Sequence, residues 1–171
     1  MIRRRKDVDW GKLLAPEDMA QVLLRVDPAA WYPMETFERL GDVILAEVAQ
    51  GSLDAVRAWG RASAEHLKNL HPYLVAERDP LETLRRFRVL QDSFFDFPVL
   101  ELSSVSDDQA HVVIHYHMGK VAEEAASYPL MGFIEGLLEH AGAGQVRARF
   151  VARSWRSDPA THLELRWKTP S

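Results

Sequence analysis

The chain has 171 residues, 47% of them hydrophobic and 9% aromatic, which predicts one globular domain with a sizeable core. Its formal net charge of -4 argues against a nucleic-acid-binding surface that covers the whole protein. The absence of cysteine excludes disulfides, thiolate zinc sites, iron–sulfur clusters and cysteine nucleophiles. No stretch reaches the roughly 20 apolar residues of a membrane span. We therefore expect a cytoplasmic protein without a nucleic-acid or membrane partner.

The start of the chain is strongly basic, since residues 3–6 read Arg-Arg-Arg-Lys. No apolar run follows that would form the core of a signal peptide. We predict a basic flexible arm over residues 1–15, ahead of a single α+β domain over 16–171. A segment that touches phosphate or a membrane surface is the alternative explanation of this charge.

The first part of the domain, residues 16–97, carries four helical patterns. They cover residues 16–26, 33–51 and 52–70, and a segment that begins at Asp79. Each pattern has a start or stop signal: proline in the first turn of the first, glycine after the second, and serine before the third. The fourth begins with Asp-Pro-Leu-Glu, an N-cap acid followed by proline and then by glutamate.

The second part, residues 98–168, predicts a ββαββ unit. The segments VLELSSV and HVVIHYH flank a turn-like SDDQ, and QVRARFVARSW and THLELRW flank Ser157-Asp158-Pro159. Between the two hairpins, Gly119 to Ala141 is helical, with a bend expected at Pro129. The predicted fold class is α+β: N-terminal helices followed by a ββαββ unit with a four-stranded antiparallel sheet. Its core face is expected to hold Val112, Ile114, Tyr116, Val146, Phe150, Leu163, Leu165 and Trp167.

The last third of the chain carries a family resemblance. Gly132-Phe133 opens a helical segment, Ser157-Asp158-Pro159 stands at a turn, and Leu163 to Trp167 forms an aromatic-ended strand. This pattern resembles the C-terminal part of the 4-vinyl reductase domain, which is related in fold to the heme–nitric-oxide-binding (H-NOX) domains. The earlier helices agree with that family only in kind and order.

Departures from the family pattern limit what the resemblance implies. Arg153 and Thr161 stand where many relatives carry cysteines, so a metal or redox role of that pair does not carry over. The H-NOX branch binds heme propionates with Tyr-x-Ser-x-Arg, but residues 116–120 read Tyr-His-Met-Gly-Lys. Residues 85–88, where the proximal histidine is expected, read Arg-Arg-Phe-Arg. We therefore expect neither heme nor another cofactor.

Aromatic side chains suggest an apolar ligand pocket, as in sensor relatives of the 4-vinyl reductase type that bind aromatic compounds. The candidate lining is Phe94, Phe97, Tyr116, Tyr128, Met131, Phe133, Phe150, Trp155 and Trp167. Tyr116 and Tyr128 would fix the orientation of a ligand. The alternative is a filled core, which is where most such residues lie in proteins.

Two polar constellations have similar alternatives. His115 and His117 are predicted on one strand face and could share a metal, although a solvent-facing sheet side produces the same alternation. Four arginines are predicted to form a cationic patch for an anionic ligand or an acidic partner, or else a solubilising face. They are Arg147, Arg149, Arg153 and Arg166.

Catalysis has little support, because nucleophile, P-loop and dinucleotide motifs are missing and no carboxylates are paired by spacing. By resemblance we expect a non-catalytic regulatory or sensor module that binds a small hydrophobic or aromatic ligand or a protein partner. A homodimer is expected, with contacts near Trp10, Trp31 and Tyr32. The alternatives are a tetrapyrrole-related enzyme or accessory protein, and a structural adaptor without a ligand.

Overall fold

A computed structural model describes residues 2, 5–24, 27 and 30–169 of the chain. The helices are α1 (Trp10–Leu13), α2 (Pro16–Leu23), α3 (Met34–Val43), α4 (Leu53–Leu70), α5 (Pro80–Leu90) and α6 (Lys120–His140). The strands are β1 (Leu100–Ser106), β2 (Gln109–Ile114), β3 (Gly144–Ala152) and β4 (Thr161–Lys168). No helix in the described ranges has the length and apolar character that crossing a membrane requires.

The segment before α2 contacts the helical part of the fold. Ile2 and Leu14 are buried, and the indole of Trp10 donates a hydrogen bond to the carbonyl of Arg5 at 2.9 Å. The Arg5 guanidinium donates to the carbonyl of Glu47 at 3.2 Å, beyond α3. The basic residues Arg3 and Arg4 lie outside the described residues, and the domain boundary after residue 15 stays a prediction.

Capping explains where the long N-terminal helices begin. The Ser52 hydroxyl accepts the Ala55 N–H at 3.2 Å, and the Asp79 carboxylate accepts the Glu82 N–H at 2.9 Å. Both caps satisfy donors that have no partner within the helix. The predicted second helix differs in one respect, because α3 continues as a π-helical turn at Ile44–Val48.

A four-stranded antiparallel sheet in the order β1-β2-β4-β3 forms the second part, so the predicted α+β fold class is confirmed. Leu163 and Leu165 on its inner face are fully buried. They pack in one core cluster with Ile134, Leu137 and Leu138 of α6. The alternation of the strands therefore directs their apolar side to the helix, as the sequence predicts.

The predicted strand over residues 111–117 is too long, since β2 ends at Ile114. The His115 N–H still donates to the Val99 carbonyl at 2.8 Å, but the next residue of the neighbouring segment is Pro98. Proline has no N–H to continue a ladder. The chain leaves the strand here, and His117 adopts a φ of 56°.

Helices α4 and α6 pack with their backbones in close contact. A Cβ at Gly60 would overlap the Pro129 carbonyl oxygen, and a Cβ at Gly132 would overlap that of Arg57. Beside this contact, the Arg57 guanidinium makes a two-pronged ion pair with Glu135, which is 2% exposed. This ion pair raises the pKa of Arg57, mainly through the hydrogen bond to Glu135.

Candidate functional site

An aromatic groove lies between the segment that leads into α3 and the segment that follows α5. It encloses about 640 Å³. Its lining is Asp27, Ala30, Trp31, Tyr32, Pro33, Met34, Phe37, Ser93, Phe94, Phe95, Asp96 and Phe97. We call these residues the aromatic groove.

Four rings of the aromatic groove are open to solvent. Trp31 is 63% exposed, Phe37 47%, Phe94 45% and Tyr32 37%. Scattered exposed rings are common on protein surfaces, but a cluster around one concave space marks a binding surface. These side chains form the walls of the groove.

The floor of the groove is fixed to the core by ring contacts. The Phe95 ring lies 5.7 Å from Phe97 and 6.1 Å from the buried Tyr116, both in edge-on geometry. Such arrangements are favourable for aromatic pairs. The exposed ring of Phe94, next to Phe95 in the chain, thus belongs to a segment that the core holds in place.

Two polar anchors position the segments that carry the rings. The buried Gln91 side chain accepts the Leu100 N–H at 2.8 Å and donates to the Leu100 carbonyl at 3.2 Å, which ties residues 93–97 to β1. On the other wall, the Tyr32 hydroxyl accepts the Asp27 N–H at 2.9 Å and donates to the Asp27 carbonyl at 3.2 Å. Each of these bonds restricts the conformation of its own wall.

The lining residues that the structure describes carry only negative charge. The charged side chains among them are the carboxylates of Asp27 and Asp96, and Asp96 is exposed. Among the lining residues that the structure describes, none is lysine, arginine or histidine. The Ser93 hydroxyl donates to the Leu90 carbonyl at 2.5 Å, so it already has a partner.

The nine residues predicted as a pocket do not surround one space. Phe94 and Phe97 line the aromatic groove. Tyr128, Phe150 and Trp155 form a separate ring cluster with centroids 5.2 to 6.4 Å apart. The Phe133 ring packs 4.9 Å from Phe87. The remaining three, Tyr116, Met131 and Trp167, are at most 7% exposed in the core cluster.

Tyr116 does not reach solvent as a polar handle. Its side chain is buried, and burial raises the pKa of the Tyr116 hydroxyl above its ordinary value. The phenol therefore stays protonated at neutral pH.

His115 and His117 stack at the surface in a second groove of about 500 Å³, together with Arg88, Phe97 and Glu101. Their ring centroids are 6.2 Å apart, and His115 Nε2 lies 3.8 Å from a Glu101 carboxylate oxygen. Within the described ranges, no three side chains of the metal-binding types come together.

A contact between two further histidines lies on the outer sheet face. His111 of β2 and His162 of β4 face each other with Nε2 and Nδ1 3.2 Å apart. The signal was available in the alternation of both strands, but it needed the β2–β4 pairing.

The predicted cationic patch is partly neutralised. Glu164 accepts two hydrogen bonds from Arg149 at 3.0 and 3.2 Å and one from Arg166 at 3.1 Å. The Arg149 guanidinium holds the pKa of Glu164 below its usual value. Arg147 pairs with Arg166 in the strand register, and Arg153 lies beyond the end of β3.

Comparison with solved structures gives an H-NOX-like fold. An H-NOX protein from S. oneidensis matches with a TM-score of 0.66 at 13% identity, over 95% of this chain and 87% of that chain. An H-NOX protein from T. tengcongensis matches with a TM-score of 0.62 at 17% identity, over 99% and 93%. A trafficking protein particle complex subunit 3 from Naegleria fowleri, covalently bound to palmitic acid, matches with a TM-score of 0.59 at 12% identity, over 80% and 96%.

These likenesses establish the fold and nothing finer, because the sequence identities are low. No family model and no curated protein matches the sequence. The resemblance to the 4-vinyl reductase domain stays a prediction.

The side chains of this chain do not fit heme, the group associated with the H-NOX family. All seven histidines are at least partly exposed, and none belongs to the core cluster. The buried phenol of Tyr116 is a poor substitute, because its raised pKa opposes the phenolate that would bind iron. The described interior therefore offers iron neither a buried imidazole nor a readily ionised phenol.

Most of the aromatic groove was missed as a site at the level of sequence. Trp31 and Tyr32 are predicted only as dimer contacts, and Phe37 lies in the helical pattern over residues 33–51 without a predicted role in binding. The available signal was two aromatic residues and a proline directly before a helix that carries a further ring in its first turn.

Proposed function

We propose that this protein is a non-catalytic regulatory module that binds a small hydrophobic or aromatic ligand in the aromatic groove. The observation that carries the proposal is the set of four exposed rings around one space of about 640 Å³. Ligand pockets typically measure about 300–1,000 Å³ and are lined mainly by apolar and aromatic side chains. The groove has both properties.

The positioning of the walls supports this proposal. A site that is already shaped before binding loses less conformational entropy when the ligand arrives. The Gln91 anchor and the Tyr32–Asp27 hydrogen bonds restrict both walls of the groove in the free protein. The rings would therefore meet a ligand in nearly their final arrangement.

The fold neighbours support an apolar ligand in a general way. The Naegleria fowleri subunit carries palmitic acid, and the H-NOX family is described with heme. Because the present chain has no cysteine, a thioester to a fatty acid is excluded, and its ligand would bind non-covalently.

A regulatory role fits the chemistry of the groove better than catalysis does. General acid–base catalysis needs a positioned group that can exchange a proton with the substrate. In the described lining the Asp96 carboxylate is exposed, but the Ser93 hydroxyl is already bound to a backbone carbonyl and no imidazole is present to act with that carboxylate. A signal would then pass through a surface of the protein, for example through a change in its association.

Titration with Nile red, an uncharged dye that fluoresces in apolar sites, tests the proposal. We expect saturable binding of one dye per chain, and at least severalfold weaker binding in Trp31→Ala and Phe94→Ala. Both rings are largely exposed, so the variants should fold. The matched control is Tyr73→Ala, which removes an 81% exposed ring from a different surface groove of about 400 Å³.

The outcomes separate the competing explanations. Dye binding that depends on Tyr73, or on neither wall of the aromatic groove, overturns the proposal. Light scattering of the same samples gives the oligomeric state. If the protein is a dimer that becomes monomeric in Trp31→Ala, the rings form a subunit interface and the ligand proposal fails.

The tetrapyrrole alternative has its own test. Expression with a heme precursor present should give a colourless protein, because no histidine lies in the core cluster. A visible absorption band that stays with the purified protein would favour the alternative.

A further inference from the structure

The charge of the aromatic groove restricts the ligands that it can accept. Its rings expose faces that carry negative electrostatic potential. The exposed carboxylate of Asp96 lies in the same lining, between Phe95 and Phe97 in the chain. The described lining residues include no basic side chain. An approaching ligand therefore meets apolar surface and negative potential together.

A positively charged organic group is stabilised by both features. Cations are attracted to the face of an aromatic ring, most strongly to tryptophan, and a nearby carboxylate adds to this attraction. Trp31 is the most exposed ring of the groove and Phe94 stands on the opposite wall. A cationic group between the walls would lie near both.

A negatively charged ligand finds no cationic partner among the described lining residues of this groove. A carboxylate or phosphate needs hydrogen-bond donors or a cation to replace its water. The described lining offers neither lysine nor arginine, the Ser93 hydroxyl donates to Leu90, and the Tyr32 hydroxyl donates to Asp27. An acidic lipid or a fatty acid is thus a poor match.

We propose that the aromatic groove is selective for organic cations, namely amines or quaternary ammonium compounds that carry an apolar body. This inference rests on the proposed function, and it adds the chemical class of the ligand. The rings bind the apolar body and the cation, while Asp96 contributes long-range attraction at the rim.

Three ligands of similar size test the selectivity by displacement of Nile red. They are benzyltrimethylammonium, its uncharged carbon isostere neopentylbenzene, and the anion phenylacetate. We expect the cation to bind about 3- to 30-fold more tightly than the isostere, the range that cation–π energies correspond to. The anion should bind more weakly than the isostere.

Variants assign the selectivity to particular groups. Asp96→Asn should weaken binding of the cation about two- to fivefold and reduce its dependence on salt, with no change for the isostere. Asp107→Asn is the matched control, because it removes the same charge at the far end of β1. Trp31→Leu keeps an apolar wall but removes the π face, so it should lower the preference for the cation more than it lowers binding of the isostere.

The results distinguish failure of the cation selectivity from failure of the proposed ligand binding. If the isostere binds as tightly as the cation, or if the anion binds best, the proposed cation selectivity is wrong. The proposal that the groove binds an apolar ligand is then retained. An equal effect of Asp96→Asn and Asp107→Asn also overturns the role of Asp96. If neither Nile red nor any of the three ligands binds, the proposed function fails as well.

Discussion

Apolar surface is buried at the α4–α6 interface and exposed in the aromatic groove. At the interface, glycines bring two backbones into contact, and the buried carboxylate of Glu135 has its partner in Arg57. In the groove, large rings stand in solvent although the core is close by. The chain can therefore pack tightly where stability depends on it.

This difference assigns separate roles to the two regions. Exposure of several rings in one place does not improve the free energy of folding. Substitutions at the interface should change stability, and substitutions in the groove should change binding. Four substitutions, with expected effects on stability from largest to smallest, test whether stability depends on the interface and binding on the groove.

Gly132→Ala is expected to have the largest effect, a loss of about 3 kcal/mol or more, because the new methyl group would overlap the Arg57 carbonyl. Urea unfolding measures the change. The matched control is Gly41→Ala in α3, where nothing lies within 4 Å of the added Cβ. The control should gain about 0.5–1 kcal/mol from its better helix propensity. Equal effects of the two variants would contradict the close helix contact.

Glu135→Gln should lower the free energy of unfolding by about 2–3 kcal/mol, because it leaves the Arg57 guanidinium beside a neutral, buried group. Glu139→Gln provides the comparison. It breaks the analogous pair with Arg61 one turn later, where both side chains are over a third exposed. That change should stay below about 1 kcal/mol. A similar loss in both variants would mean that burial of Glu135 contributes little.

Asp18→Asn tests the pair that attaches α3, which carries one wall of the groove, to α2. The fully buried Asp18 carboxylate accepts two hydrogen bonds from Arg39 at 2.6 and 2.9 Å, and these hold its pKa below the usual value. We expect a loss of about 2 kcal/mol at pH 7.

The pH dependence of that loss follows from the direction of the shift. A lowered carboxylate pKa contributes stability that is present above the unfolded value of about 3.9 and disappears as the pH falls through the folded value. The difference between wild type and Asp18→Asn should therefore shrink in urea unfolding below about pH 3.9. The exposed neighbour Glu17, 3.5 Å from Arg39, is the control, and Glu17→Gln should change stability by less than about 0.5 kcal/mol.

Phe94→Ser should have the smallest effect on stability, within about 0.5 kcal/mol, because nearly half of the ring is exposed. Thermal and urea unfolding measure it. A decrease in the free energy of unfolding above about 1.5 kcal/mol would show that the ring contributes to the core. The groove and the interface would then not have separate roles.

The sheet could be predicted from sequence because each strand carries its own signal. Alternation in β2 and β4 places Val112 and Leu163 on the inner face, and both are at most 1% exposed. The same reasoning failed at His115 and His117, where the alternation continues but the strand does not. Its end depends on Pro98 in the neighbouring segment, which no local pattern of β2 contains.

The helix interface and the groove were harder to predict, because their partners are distant in sequence. The helical pattern over residues 52–70 ends on the large apolar Leu70, yet Leu70 is 62% exposed. The buried face instead centres on Gly60 and Ala64, whose small side chains have meaning only once α6 is adjacent. Similarly, Phe94 continues the apolar spacing of α5, but that helix ends at Leu90 and the ring turns outward.

The π-helical turn at Ile44–Val48 changes which side of the helix the residues after it occupy. A single π turn acts like the insertion of one residue, which rotates everything after it by about 100°. Ala49, the first residue beyond that turn, is 6% exposed. A chain shortened by one residue within 44–48 would keep almost the same composition and yet turn this position away from the interior.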